Sequence, residues 1–217
     1  MGLLAIISVV VSAILLGLWY FCFARYNRRR GALALRRVEL ACSGRGGIIE
    51  SRWQGVCVLQ ARLDFVSHWF ENARVVIRLR PRPIPLEWLF SLLRKHRETL
   101  TFETDLGYAP GFHLEVFRHR WVSKPHTKIS KAAAQWELSH PGPVVLTTRS
   151  HWSHELTPVV NTLITSRGHS LVSVRFRSQS PHLAATIPLE AISDEQDAAD
   201  FLSMLRELAA GASTHQQ

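Results

Sequence analysis

No charged side chain precedes Arg25, and residues 1–24 are mostly Leu, Ile, Val and Ala. As a helix, Gly2–Ala24 reaches about 33 Å, enough to cross the roughly 30 Å hydrocarbon core of a bilayer. No other feature constrains the fold as strongly, because a segment this apolar has to be buried in lipid or in a large core. Trp19, Tyr20, Phe21 and Phe23 gather at its C-terminal edge, where amphipathic rings favour the headgroup level. Arg25, Arg28, Arg29, Arg30, Arg36 and Arg37 follow, with no acid before Glu39. Such an excess of positive charge marks the cytoplasmic side. We therefore expect a single-pass signal anchor in the cell membrane, with the N-terminus outside and the C-terminal domain cytoplasmic. A cleaved signal peptide would carry its charge before the apolar run and small residues at its end. Here the order is reversed. The span holds no ionisable residue of the kind that marks a transport path.

These arginines also explain most of the basic character. The formal net charge is +9. Six of those charges fall in Arg25–Arg37, so the remaining chain is only mildly basic. The pI is thus largely a membrane-flank effect, compatible with anionic lipid headgroups, and nucleic acid is not an expected partner. Three cysteines, Cys22, Cys42 and Cys57, form no CxxC pair, which excludes zinc-ribbon, thioredoxin-type and haem-attachment motifs. Cys42 and Cys57 fall on predicted strands and are expected as free, buried thiols.

The rest of the chain predicts an α+β fold: an antiparallel sheet with about three helices. Arg37–Cys42 reads as a strand. Ile48–Trp53 and Val56–Leu63, punctuated by glycines, continue it as a meander. In Arg74–Arg80, Val75, Ile77 and Leu79 share one face and Arg74, Val76, Arg78 and Arg80 the other. Pro81, Pro83 and Pro85 end this strand, and Pro85 suits the first turn of a helix. Leu86, Leu89, Phe90 and Leu93 then make Leu86–Arg97 an amphipathic helix. Thr99–Thr104 and His113–Val122 read as strands, and Ala132–Leu138 as partly helical. Val144–Arg149, Leu171–Arg177 and Leu183–Leu189 read as strands, with His154–Ser166 a helix. In the last helix, Ser193 and Gln196 form a capping box, Ala198, Phe201, Leu202, Leu205 and Leu208 face the core, and Gly211 ends it.

This order suggests a transmembrane helix at 2–24, an Arg-rich juxtamembrane segment at 25–37, α+β halves at 38–123 and 144–211, a linker at 124–143 and a disordered tail at 212–217. Strand, helix, strand, strand recurs in both halves, which suggests a degenerate β-α-β-β duplication.

Catalytic signatures are sparse. Neither GxSxG nor the Walker lysine occurs, and Gly44-Arg45-Gly46-Gly47 lacks the GxGxxG spacing. Among eleven histidines, His151 and His154, with Glu155 adjacent, are the candidates for a metal site, but no third ligand is identifiable. No cofactor is implied. Arginines recur at i, i+2 on predicted strands: Arg78, Arg80 and Arg82; Arg118 and Arg120; Arg175 and Arg177. On neighbouring strands they would form one basic surface able to meet an anionic partner or lipid. We therefore expect a non-catalytic accessory or assembly subunit of a larger membrane complex, respiratory or photosynthetic complexes being analogies. The alternatives are a membrane-tethered hydrolase with a His-based site, and a basic lipid- or nucleic-acid-binding module.

Overall fold

A computed structural model describes residues 2–44, 46–66, 70–110, 113–118, 136–139, 144–149 and 171–213. Helix α1 spans Gly2–Cys42, 41 residues without interruption. It absorbs the predicted span, the Arg-rich flank and the segment Arg37–Cys42, which is helix and not the expected strand. Val38, Leu40 and Cys42 alternate as they would on one face of a strand. The side chains that are buried, however, are Asn27, Gly31, Ala34, Leu35, Val38 and Cys42, a stripe at helical spacing, and Leu40 is exposed. Gly44, at φ +81°, then turns the chain into the sheet, a conformation glycine adopts without steric cost.

Nine strands follow among the described residues: β1 (Gly46–Gln54), β2 (Val58–Phe65), β3 (Glu71–Arg78), β4 (Thr99–Asp105), β5 (Leu114–Arg118), β6 (Trp136–Ser139), β7 (Val144–Arg149), β8 (Ser173–Phe176) and β9 (Leu183–Pro188). They form one sheet in the order β1-β2-β3-β4-β9-β8-β5-β7-β6, and every neighbouring pair is antiparallel. Trp136–Ser139 is therefore strand, not the helix expected around Ala132–Leu138. The strand order does not repeat between the two predicted halves. β3 lies beside β4, whereas β7 lies between β5 and β6, and β4–β9 pairing joins the two halves in one sheet.

Helix α2 (Pro85–Leu93) connects β3 to β4, and helix α3 (Glu195–Ser213) ends the described chain. α2 stops four residues before the predicted end. Lys95 and His96 donate backbone bonds to Leu92 and Ser91, and Lys95 sits at φ +50°. At α3 the cap is shifted by one residue from expectation. Asp194 Oδ1 accepts from the Asp197 amide, and Asp197 Oδ2 accepts from the Ser193 and Asp194 amides. Two carboxylates at the positive helix end replace the predicted Ser193–Gln196 box. Gly211 does not end α3, which continues to Ser213.

One face of the sheet is buried. Leu59, Ala61 and Leu63 of β2, Val75 and Ile77 of β3, Leu100 and Phe102 of β4, and Leu183, Ala185 and Ile187 of β9 point to the same core. The lower half of α1 and the apolar stripe of α3, including the expected Phe201, Leu202, Leu205 and Leu208, complete it. Arg37 Nη1 bonds the Ile192 carbonyl at 2.8 Å, and the Tyr108 hydroxyl bonds the Ala209 carbonyl at 2.7 Å, tying α1 and α3 to their surroundings. Gly31 allows close approach of α1, since a Cβ there would stand 2.7 Å from the Trp53 ring.

Candidate functional site at the junction of the long helix and the sheet

Where the apolar half of α1 gives way to the packed half, a polar cluster is buried. Asn27 is inaccessible to solvent, and its amide is used on both sides. Its Nδ2 donates to the Arg80 carbonyl at 3.0 Å, and its Oδ1 accepts from Arg82 Nη1 at 3.1 Å. Glu98, only 4% exposed, lies between two arginines. Arg82 Nη1 reaches Glu98 Oε1 at 2.6 Å, and Arg30 Nε reaches Oε2 at 2.8 Å. The Arg80 backbone amide also donates to Glu98 Oε1, at 3.3 Å. Each carboxylate oxygen is thus occupied, the condition under which a buried charge is tolerated.

Tyr26 closes the cluster. Its ring lies under the Arg82 guanidinium at 5.0 Å, and its hydroxyl accepts from Arg30 Nη1 at 3.0 Å. Burial opposes the charge on Arg30, but the Tyr26 hydroxyl and the Glu98 carboxylate outweigh it and raise its pKa. Arg30 therefore remains charged at any physiological pH. The cluster ties α1 to the chain around Arg80–Arg82 and to the start of β4 through charge-assisted bonds.

An aromatic cluster lies one turn closer to the apolar half. Trp19 Nε1 donates to the Arg82 carbonyl at 3.1 Å. The Trp19 and Phe23 rings lie 4.5 Å apart, and both meet Trp88 of α2, at 5.6 and 6.2 Å. Of the residues expected at the membrane edge, Trp19 and Phe23 are half-buried against α2, while Tyr20 and Phe21 face outward. Arg25, Arg28 and Arg29 are exposed, but Arg30 turns inward to Glu98.

Among the described residues, the arginines of the series do not all share one surface. Arg82 belongs to the buried cluster, and Arg80 Nε bonds the His96 carbonyl at 3.0 Å. Arg78 and Arg175 do share the open face of the sheet, on a depression of about 420 Å³ that also includes Thr101, Glu103 and Thr186. Acids share that face. Glu103 pairs with Arg74, and Glu115 lies 3.9 Å from Arg175 Nε and 3.0 Å from Arg177 Nη2. His113 and the two arginines outweigh the cost of burial and hold the Glu115 carboxyl down at about 2. The side chain of Arg118 and all of Arg120 lie outside the described residues, as do His151, His154 and Glu155. Among the described residues no group of three potential metal ligands occurs.

The cysteines are not neighbours. Cys42 ends α1, about 22 Å along the helix from Asn27. Cys57, in the β1–β2 connection, sits 3.8 Å from Asn27 Nδ2. Burial raises both thiols, Cys42 to about 11, which favours the protonated form at neutral pH.

Sequence reasoning missed Asn27, Tyr26 and Glu98. The available signal was that Asn27, Gly31 and Leu35 stand four apart, continuing the Ala34, Val38, Cys42 stripe. The chain matches no known family model and no curated protein.

Proposed function

We propose that the chain is a non-catalytic, single-span accessory or assembly subunit of a larger membrane complex, with its sheet domain held at the cytoplasmic surface. One observation carries the reading: the apolar helix and the domain are not joined by a linker. The segment long and apolar enough to cross a membrane continues as the helix whose lower half closes the domain core. A flexible tether would let a domain search the surface. A continuous helix locked by the Asn27–Arg30–Arg82–Glu98 cluster instead sets its height and orientation, as a docking subunit requires. The arginines after the span support the cytoplasmic placement. The basic-module alternative is weaker, because several arginines expected on one face are paired with acids.

Solubilisation of native membranes in a mild detergent, followed by affinity purification and mass spectrometry, tests this proposal. Stoichiometric membrane subunits are expected to co-purify. A solitary monomer would overturn it.

A further inference from the structure

α2 wears its apolar residues on the outside. Leu86 is 71% and Leu93 70% exposed, Leu89 and Phe90 are more than half exposed, and the helix buries only Ser91. At 100° per residue, Leu86, Leu89, Phe90 and Leu93 lie on the side opposite Trp88 and Ser91. The latter pair faces the protein. A surface helix normally shows the reverse, and an apolar strip of this kind needs a cover.

Its position indicates the cover. Trp88 packs on Trp19 and Phe23, in the last turns of the apolar half of α1, and Trp19 bonds the Arg82 carbonyl just before α2. α2 therefore stands level with the aromatic edge of the span, where α1 too exposes large apolar side chains such as Leu18 and Phe21. Exposed cations lie beside this level on both elements: Arg25, Arg28 and Arg29 on α1, and Arg94 and Lys95 immediately after α2. Apolar residues at the acyl boundary with cations at the phosphates are the pattern of a helix lying in the membrane interface.

We propose that α2 is an in-plane membrane helix, its Leu86, Leu89, Phe90 and Leu93 face seated in the lipid of the leaflet from which α1 emerges. The proposal rests on the anchoring reading above. The domain then has two membrane contacts, a span and an interfacial helix, which together fix its tilt as well as its distance. The occupant is lipid, because α2 packs on the end of a segment long and apolar enough to span a membrane and is flanked at that level by exposed cations.

Photo-crosslinking in the full chain, reconstituted into vesicles of phosphatidylcholine and phosphatidylglycerol, tests it. p-Benzoylphenylalanine replaces Val10, Leu89, Leu93 or, on the open sheet face, Gln60, one position at a time. Retained thermal unfolding temperature confirms that each variant is folded. Lipid adducts are expected at positions 10, 89 and 93, at least about fivefold above position 60. Adducts at 10 with 89 and 93 no higher than 60 would overturn the α2 proposal and leave the anchor standing. No adduct even at 10 would overturn the anchor, and the α2 proposal with it. Crosslinks from 89 and 93 to a second copy of the chain, in place of lipid, would also overturn it.

Discussion

The two halves of α1 share one backbone ladder but are built for different surroundings. In Gly2–Leu18 every described side chain is exposed, and apolar residues cover the whole circumference. In Asn27–Cys42 one stripe is buried and the other side carries Arg28, Arg29, Arg36 and Glu39. A helix apolar all round has no preferred face and needs an isotropic apolar solvent. A helix with one apolar stripe has a face, and the sheet supplies its partner. Between them, Trp19–Arg30 changes from one regime to the other through aromatic contacts and then a buried ion cluster.

This contrast can be broken first at the cluster. Glu98→Gln leaves Arg30 and Arg82 without their shared counter-charge. Breaking a buried pair costs about 3–5 kcal/mol in general. Arg30 is 35% exposed, so the lower end is expected, about 3 kcal/mol or a fall in unfolding temperature of roughly 10 °C for the detergent-solubilised chain. An unchanged temperature would mean that the core alone holds α1.

The next largest effect should fall on the other half. Leu15→Arg places a charge in the apolar segment, costing about 2.5–3.5 kcal/mol of insertion free energy at a span centre. Carbonate extraction should release more of the variant from membranes, while the domain's unfolding temperature stays that of the parent. A drop in that temperature would show that the two halves of α1 are energetically one unit.

The smallest effect compares two carboxylates, each held by two arginines. Glu115 is more exposed than Glu98, and its folded pKa is lowered from 4.5 to about 2. Its contribution is therefore fully present above about pH 4.5 and lost as pH falls towards 2. Because Arg175 and Arg177 are 44–46% exposed, about 1 kcal/mol or less is expected. The stability difference between parent and Glu115→Gln, measured by denaturant unfolding, should be visible at pH 6 and shrink below pH 4. A difference independent of pH would assign Glu115 a packing role.

Much of this fold was legible. β7 has its predicted bounds, and β4, β9 and the buried face of α3 lie close to expectation, because each carries a strong period or a proline or glycine stop. Arg37–Cys42 misled because a short run with apolar residues at 38, 40 and 42 fits a strand while the longer pattern from Asn27 fits a helix. The candidate site was less legible. Arg82 was grouped with Arg78 and Arg80 by spacing alone. The three prolines after the strand break that parity and turn Arg82 inward to a glutamate 16 residues away.

The sequence by itself determined that an uncharged segment long enough to cross a membrane precedes an α+β chain, since length and hydropathy are local properties. It also determined that Pro85 starts an amphipathic helix. Only the tertiary structure decided which way that helix faces. Amphipathicity specifies that two sides differ but not which one meets the protein. Here Trp88 packs on Trp19 and Phe23, so the leucines are left outside. Likewise, only the assembled fold converted the arginine flank into part of a core-packed helix, because Arg82 reaches both Asn27 and Glu98 only when α1 packs against the sheet.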